Sequence, residues 1–180
     1  MDQPETLATL LGGARGAVDA TVPVVAYVLG WLLGDRSVVV GSLAALMVAV
    51  AVAGWRLRQS RRPRAVLIGL LAVCASALVA LYTGRGQDFF LIQIFSNAAS
   101  AVAWAVSIVL RWPLLGVVVG TALGQKTRWR RDPGLLRAYG RASWVWVGQY
   151  LLRLIIFLPL WAAGWVPALG VARIALSWPL

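Results

Sequence analysis

Polar residues recur at helical spacing through one otherwise apolar stretch of the sequence, residues 89–110. The repeating positions, three or four residues apart, are Gln93, Asn97, Ser100, Trp104, Ser107 and, just beyond the stretch, Arg111. This spacing places them on one face of an α-helix. In a hydrocarbon environment such a face is expected to contact protein or water instead of lipid. The stripe is therefore the first candidate site.

Two arginines in apolar surroundings form the second candidate. Arg153 follows Ala142 by eleven residues, about 16 Å along a helix, and Gln149 lies one turn before it. An arginine near the bilayer centre costs about 2.5–3.5 kcal/mol on insertion scales. Asn97 is predicted at a similar depth, and Arg173 adds a second cation in the last apolar stretch.

The chemistry of these arginines has two interpretations. In the first, they bond to side-chain amides, backbone carbonyls or Asp88, or reach towards the headgroups, and serve as structural polar contacts. In the second, they form a cationic pocket for an anionic ligand such as a lipid phosphate. Asp19 and Asp88 are predicted at the inner end of the first span and the outer start of the fourth. The candidate polar or anion site therefore comprises Arg153, Arg173, Asn97, Gln93, Gln149, Asp88 and Asp19.

The composition argues against an enzyme. The chain contains no histidine, one cysteine (Cys74) and six acidic residues. Because the acids are scattered, no metal-ligand cluster and no nucleophile with a base are expected, and no cofactor is predicted. The net charge of +11 is interpreted as the positive-inside bias of a membrane protein, and nucleic acid is not an expected partner.

Apolar runs long enough to cross a bilayer dominate the chain, which is 61% hydrophobic with a mean hydropathy of +0.80. The fold prediction is an all-α, polytopic transmembrane bundle forming one membrane domain over residues 1–180. It has five full spans and a sixth that is short, partial or complete. The predicted spans are 18–33, 37–55, 65–82, 89–110, 142–161 and 166–180.

The segment "VLRWPLLGVVVGTALGQK", residues 109–126, decides how many times the chain crosses. Residues 114–124 reach only about 17 Å as a helix, too short for about 30 Å of hydrocarbon. Pro113 offers a break after Arg111 because it removes a backbone donor. We therefore predict a short helix over 114–124 on the cytoplasmic side. After it, Asp132 is a predicted N-cap and Pro133 suits a first helical position.

Arginines concentrate in two of the predicted loops, 56–64 and 111–141. The positive-inside rule places both in the cytoplasm, together with the N-terminus, and predicts a multi-pass protein of the bacterial inner membrane. These loops are expected to attract anionic lipids.

Small residues form several predicted packing faces. They comprise Gly30 with Gly34, the Ala45, Ala49 and Ala53 series, and the Gly116, Gly120 and Gly124 series. The last face would pack within the chain or, alternatively, form a homodimer.

Five ordered motifs resemble one family of proteins. They are "GGARGAVDATVPVVAYV", "YTGRGQDFFLIQIFSNAAS", "SIVLRWPLLGVVVG", "WRRDPGLLRAYGRASWVWVG" and "GVARIALSWPL". They resemble an actinobacterial membrane family called domain of unknown function 3159, over about residues 12–180. The resemblance implies a polytopic membrane protein without established catalytic residues.

A fainter resemblance is to bacterial intracellular septation protein A. Asp19 shortly before Pro23 is similar to the opening of its first span, and Arg111, Pro113 and Leu114 are similar to the end of its fourth. This resemblance implies a role in envelope synthesis at division, although a similar fold does not fix function.

The expected function is that of a non-enzymatic membrane protein associated with the envelope or with division, acting through packing and envelope-protein partners. The alternative is a small transporter or lipid-handling protein with an intramembrane arginine anion site.

Overall fold

The computed structural model describes residues 13–59, 63–122 and 132–177, and within these ranges the protein contains α-helices, one 3₁₀ turn and no strand. The helices are α1 (Gly13–Leu33), α2 (Val38–Gln59), α3 (Pro63–Thr83), the 3₁₀ turn (Gly86–Phe90), α4 (Leu91–Val109), α5 (Leu114–Ala122), α6 (Pro133–Ala162) and α7 (Val166–Ser177). The predicted all-α fold class is confirmed.

Four helical segments in the described ranges are long and apolar enough to cross a membrane. They are Val38–Arg58, Val66–Thr83, Gly86–Val109 and Pro133–Ala162, with mean hydropathies between 1.5 and 2.4. These correspond to the predicted second to fifth spans. In the first and last predicted spans, the residues whose side chains are described form shorter apolar helical segments, Thr21–Leu33 and Val166–Leu176. Four described helices are therefore long enough to cross a membrane. The predicted total of five or six membrane spans stays a prediction.

The chain divides into two compact units. Unit 1 comprises Met1–Ile92 and Pro159–Leu180, and unit 2 comprises Gln93–Leu158. Each unit is described separately below.

Small residues bring α1 and α2 of unit 1 together, as the sequence predicted. A Cβ atom added to Gly30 would lie 2.8 Å from the Cβ of Ala44, so only glycine allows this approach. On α2, Ala45 is fully buried, and Ala49 and Ala53 are each 5% exposed. Lipid gives helices no hydrophobic reason to associate, so close packing at such faces holds them together.

The segment after α4 in unit 2 ends one helix and starts another within a few residues. Arg111 has a left-handed φ of 54°. Its N–H bonds to the carbonyl of Ile108 at 3.0 Å, and the N–H of Trp112 bonds to the carbonyl of Ser107 at 2.8 Å. These two bonds form a Schellman motif, which satisfies carbonyls that the helix end leaves open. Pro113 follows it, and α5 begins at Leu114.

Ser107 links the two helices on either side of this break. Its hydroxyl donates to the carbonyl of Trp104 at 2.7 Å and accepts from the N–H of Leu114 at 3.3 Å. One side chain near the end of α4 thus satisfies the first donor of α5. The predicted break at Pro113 and the short helix are confirmed. The helix is described to Ala122, and the predicted end at residue 124 lies outside the described residues.

Helix α6 starts where its sequence predicted. The Asp132 carboxylate accepts from the N–H of Gly134 at 2.7 Å and from that of Leu135 at 3.3 Å, and Pro133 is the first helical residue. The helix contains 30 residues, about 45 Å, which exceeds the hydrocarbon thickness. The predicted span 142–161 is therefore the second part of one long helix.

We expect Gly30→Ala to lower the free energy of unfolding by about 1–3 kcal/mol, because the added methyl overpacks the contact with Ala44. Gly54→Ala is the matched control, since a Cβ there meets nothing within 4 Å. Alanine has the higher helix propensity, so the control should be neutral or up to about 1 kcal/mol more stable. Denaturant unfolding in detergent micelles measures both. Equal effects of the two substitutions would contradict close packing at Gly30.

We expect Arg111→Gly to raise stability by about 1 kcal/mol, because a left-handed conformation costs other L-residues about that much. Arg141→Gly, at an exposed position inside α6, should lower stability by a similar amount. Thermal unfolding of the two variants should move in opposite directions. A loss of stability in Arg111→Gly would show that the arginine side chain outweighs the backbone strain.

Candidate functional site

The polar stripe of α4 in unit 2 is only partly buried: Asn97 and Ser107 are buried, Gln93, Ser100 and Trp104 are half-buried, and Arg111, beyond the end of the helix, is exposed. Asn97 is 2% exposed, and Ile94 and Ala101, about one turn away on either side, are also buried. Gln93 donates through Nε2 to Asn97 Oδ1 at 3.3 Å. The other amide atom, Asn97 Nδ2, is buried without a hydrogen-bond partner within the described part of the chain. Asn97 therefore places an amide N–H donor without a partner in the described part of the chain on the buried face of α4.

A stack of two indole rings joins the stripe to α6. The ring centroids of Trp104 and Trp146 are 5.4 Å apart and the rings are 8° from parallel. The Trp146 ring thus packs on Trp104, whereas Trp144, two residues earlier, is 54% exposed. The buried face of α6 carries Ser143, Val147 and Phe157.

Arg153 and Gln149 lie one turn apart on α6 and both are half-buried. The guanidinium carbon of Arg153 is 5.8 Å from the ring centroid of Tyr150. A cation over an aromatic face is stabilised by the ring quadrupole. The side chain also leans towards the N-terminal end of α6, the direction that helical side chains favour.

Asp88 has a different environment, in unit 1. It belongs to the 3₁₀ turn, is 2% exposed and accepts a hydrogen bond from the Trp161 indole N–H at 2.8 Å. The Arg85 guanidinium carbon lies 5.5 Å from the Trp161 ring centroid. This contact joins residues 73 apart in sequence. The buried carboxylate fixes the 3₁₀ turn to the end of α6 that belongs to unit 1.

Aromatic packing surrounds that turn. Tyr27 stacks on Phe89 with centroids 3.8 Å apart and meets the edge of Phe90. Its hydroxyl donates to the carbonyl of Gly86 at 2.9 Å. Tyr27 and Phe90 are fully buried, and Phe89 is 1% exposed. Helix α1 is thereby held to the turn by one hydrogen bond and two ring contacts.

The remaining predicted site residues are Arg173 and Asp19. Arg173 is half-buried on α7, a helix that approaches α1 so closely that a Cβ added to Gly170 would lie 2.7 Å from Val28 Cγ2. Asp19 belongs to α1, but its side chain lies outside the described residues. The structure therefore joins Gln93 directly to Asn97, places Gln149 beside Arg153 on α6, and holds Asp88 with Trp161.

Sequence reasoning missed the aromatic partners of three predicted residues: Trp161 of Asp88, Trp146 of Trp104 and Tyr150 of Arg153. It also missed the contact of Tyr27 with the 3₁₀ turn. A usable signal existed for Trp161, because the predicted topology places it on the same side as Asp88. No local pattern indicates the contact between Tyr27 and Gly86, which are 59 residues apart.

Comparison with family models gives a match over residues 11–180 to a family described as "Protein of unknown function (DUF3159)". The comparisons with curated proteins and with solved structures found no match.

We expect Trp161→Phe to lower the free energy of unfolding by about 1–3 kcal/mol, because it leaves the buried Asp88 carboxylate without its indole donor. Trp165→Phe is the matched control, since Trp165 is 64% exposed. Equilibrium unfolding of the purified variants measures both. The role of the bond would be refuted by equal stability of the two variants.

Proposed function

We propose that this membrane protein, which belongs to the DUF3159 family, is a non-enzymatic component of the bacterial cell envelope that acts at division. In this proposal the protein works as a scaffold: its helices form a fixed platform in the membrane and its partners are other envelope proteins. Membership in the family leaves the biochemistry open, and the contacts within the chain support the proposal.

Two side-chain hydrogen bonds between distant parts of unit 1 are the observation that supports this proposal. Asp88 accepts from Trp161, and the Tyr27 hydroxyl donates to Gly86. Both bonds join distant parts of the unit, and the Tyr27 ring also packs on Phe89 and Phe90. Side chains engaged in this way stabilise one conformation, which suits a scaffold better than a site of chemical turnover.

Broad apolar helix faces provide the second support. Large hydrophobic side chains are exposed along the spanning helices, among them Met47, Ile68, Leu71, Phe95 and Ile155 at 66–70%. In a bilayer these faces are available to lipid tails and to helices of partner proteins.

The orientation we propose follows from charge. Arg56 and Arg58 occupy the last turn of α2, and further arginines follow Arg111. With these segments in the cytoplasm of a plasma-membrane protein, the N-terminus is cytoplasmic and the basic segments attract anionic lipids.

The alternative function, a small transporter or lipid-handling protein, is favoured by one observation. Asn97 Nδ2 is a buried donor without a partner in the described part of the chain, and the Trp104 ring of the same helix stacks on Trp146 of the helix that carries Arg153. Such donors suit an anionic ligand.

Depletion of the protein in its own bacterium tests the scaffold. We expect longer cells and misplaced septa, because loss of an envelope scaffold removes the platform on which its partners assemble. Re-expression of the wild type or of Gly54→Ala should restore cell length, and re-expression of Gly30→Ala should restore it less well. Microscopy of cell length and of a fluorescent fusion at the septum measures the outcome. Normal division together with reduced uptake or an altered lipid composition would overturn the scaffold and favour the alternative.

A further inference from the structure

An exposed stripe of side chains, which we call the α6 stripe, runs along helix α6 within unit 2. Its main members are Arg137, Arg141, Trp144, Gly148, Leu152 and Ile155, and the structure leaves all of them exposed. They recur every three or four residues, which places them on one face of the helix. The buried residues Ser143, Val147 and Phe157 lie on another face. The α6 stripe therefore faces the surroundings of the protein and changes from cationic to apolar along its length.

The length of α6 places this change at the edge of the hydrocarbon. The helix has 30 residues, about ten more than the hydrocarbon requires, and the predicted span begins at Ala142. Trp144 lies just inside that boundary, Arg141 lies directly outside it, and Arg137 lies about 8 Å beyond it. Phospholipid headgroups occupy about 5–8 Å on each side of the hydrocarbon. The two arginines therefore lie at the level of the lipid phosphates.

The basic end of the α6 stripe has the donor chemistry that a phosphate requires. Arg137 donates through Nε to the carbonyl of Pro133 at 3.1 Å, which holds its side chain along the helix towards the N-terminal end. The Nη groups carry the other four N–H donors of the guanidinium. Arg141 is one turn later, and helical side chains lean towards the N-terminus, so it extends towards the level of Arg137. Guanidinium groups bind phosphate oxygens through paired, charge-assisted hydrogen bonds.

The charge of unit 2 favours an anionic partner at this end. Within residues 93–158 the sequence contains eight arginine and lysine residues and one acid, Asp132. All of these basic residues except Arg153 lie within residues 111–141. The carboxylate of Asp132 is engaged in capping the start of α6. Basic residues near the membrane surface attract anionic lipid, so the positive charge gathers the partner where the α6 stripe begins.

Gly148 forms a notch in the apolar part of the α6 stripe. A Cβ added to Gly148 would meet nothing within 4 Å, so no contact in the described part of the chain requires a glycine there. The side chains one turn before and after it, Trp144 and Leu152, are 54% and 52% exposed, and Ile155 is 68% exposed. A shallow trough therefore lies between large apolar side chains, in line with the two arginines, and an acyl chain can lie along it.

We infer that the α6 stripe binds one anionic phospholipid. Its phosphate contacts Arg137 and Arg141, its glycerol backbone lies beside Trp144, and one acyl chain runs past Gly148 to Ile155. A phospholipid fits better than a partner helix because the stripe changes from cationic to apolar at the same depth as a phospholipid does, and tryptophan favours that depth. The inference rests on the attraction of the basic segments to anionic lipids proposed above, and it does not depend on a role in division.

Arg137→Gln and Arg141→Gln test the contacts to the headgroup. We expect each to weaken the binding of phosphatidylglycerol about fivefold, because a basic residue near the membrane surface contributes about that factor. Arg58→Gln is the matched control, since Arg58 is an exposed arginine in the last turn of α2 and belongs to unit 1. It removes the same charge and should leave the affinity unchanged.

Gly148→Leu tests the contact to the acyl chain at constant charge. The new side chain fills the trough, so we expect weaker binding of phosphatidylglycerol. The fold should tolerate the substitution, because a Cβ at this position meets nothing within 4 Å. Gly69→Leu is the matched control, an exposed glycine inside α3 with equally open surroundings, and it should bind as the wild type does.

Native mass spectrometry of the protein extracted from its own membrane measures which phospholipid is retained and in what ratio to the protein. Delipidated protein in detergent micelles is then titrated with phosphatidylglycerol and, separately, with phosphatidylcholine that has the same acyl chains, with the melting temperature as the readout. We expect one retained anionic phospholipid, and a rise in melting temperature with phosphatidylglycerol at concentrations at which phosphatidylcholine produces none.

Three results would overturn the inference. Equal responses of the wild type to both lipids, or a response to neither, would remove the site together with the proposed attraction of the basic segments. A loss of affinity in Arg58→Gln as large as that in Arg141→Gln would leave that attraction in place and remove the site on α6. Unchanged binding in Gly148→Leu, or a lipid-free dimer of the wild type that Gly148→Leu abolishes, would show that an acyl chain does not occupy the trough.

Discussion

The hydrocarbon core of a bilayer supplies no hydrogen-bond donor or acceptor, so each polar atom placed there must find its partner within the protein or in a ligand. The main polar contacts of this chain follow from that constraint. Tyr27 donates to the backbone of the 3₁₀ turn, and Trp161 donates to Asp88 in the same turn. Ser107 satisfies the first donor of α5. Asn97, Ser42 and Ser143 are exceptions, because the Asn97 amide nitrogen and the two buried hydroxyls have no hydrogen-bond partner among the described residues.

The packing of helices in unit 1 also depends on the hydrocarbon that surrounds them. Because lipid tails are as apolar as leucine, α1 and α2 gain nothing from burying large side chains against each other and associate through close backbone approach. Gly30 provides that approach against Ala44, and Ala45, Ala49 and Ala53 are small buried side chains of α2. The aromatic residues Tyr27, Phe89 and Phe90 fill the place where the 3₁₀ turn enters the unit. Close packing of this kind holds the unit together without a large hydrophobic driving force.

Local signals predicted much of the fold. The start of α6 could be read from Asp132 and Pro133, and the end of α4 from Pro113, because capping and proline geometry involve only neighbouring residues. The small-residue faces could be read from composition alone. The pairing of Trp146 with Trp104, by contrast, depends on which faces of two distant helices meet, and no periodicity encodes that choice. The contact of Asp88 with Trp161 joins residues 73 apart, so no local pattern predicts it either. Of the candidate site, the helical spacing of the stripe predicted that Gln93 and Asn97 share a face, and the two side chains are hydrogen-bonded. The aromatic partners could not be predicted in this way, and the shared depth of Asn97 and Arg153 stays a prediction.

The constraint that buried polar atoms find partners within the chain is tested most directly at Tyr27, which is fully buried and whose hydroxyl donates to the carbonyl of Gly86 at 2.9 Å. Tyr27→Phe keeps the aromatic ring that packs on Phe89 and Phe90 and removes only the hydroxyl. Equilibrium unfolding in detergent micelles should show a free energy of unfolding lower by about 1–3 kcal/mol, because the buried carbonyl of Gly86 loses its donor. Equal stability of Tyr27→Phe and the wild type would contradict the constraint.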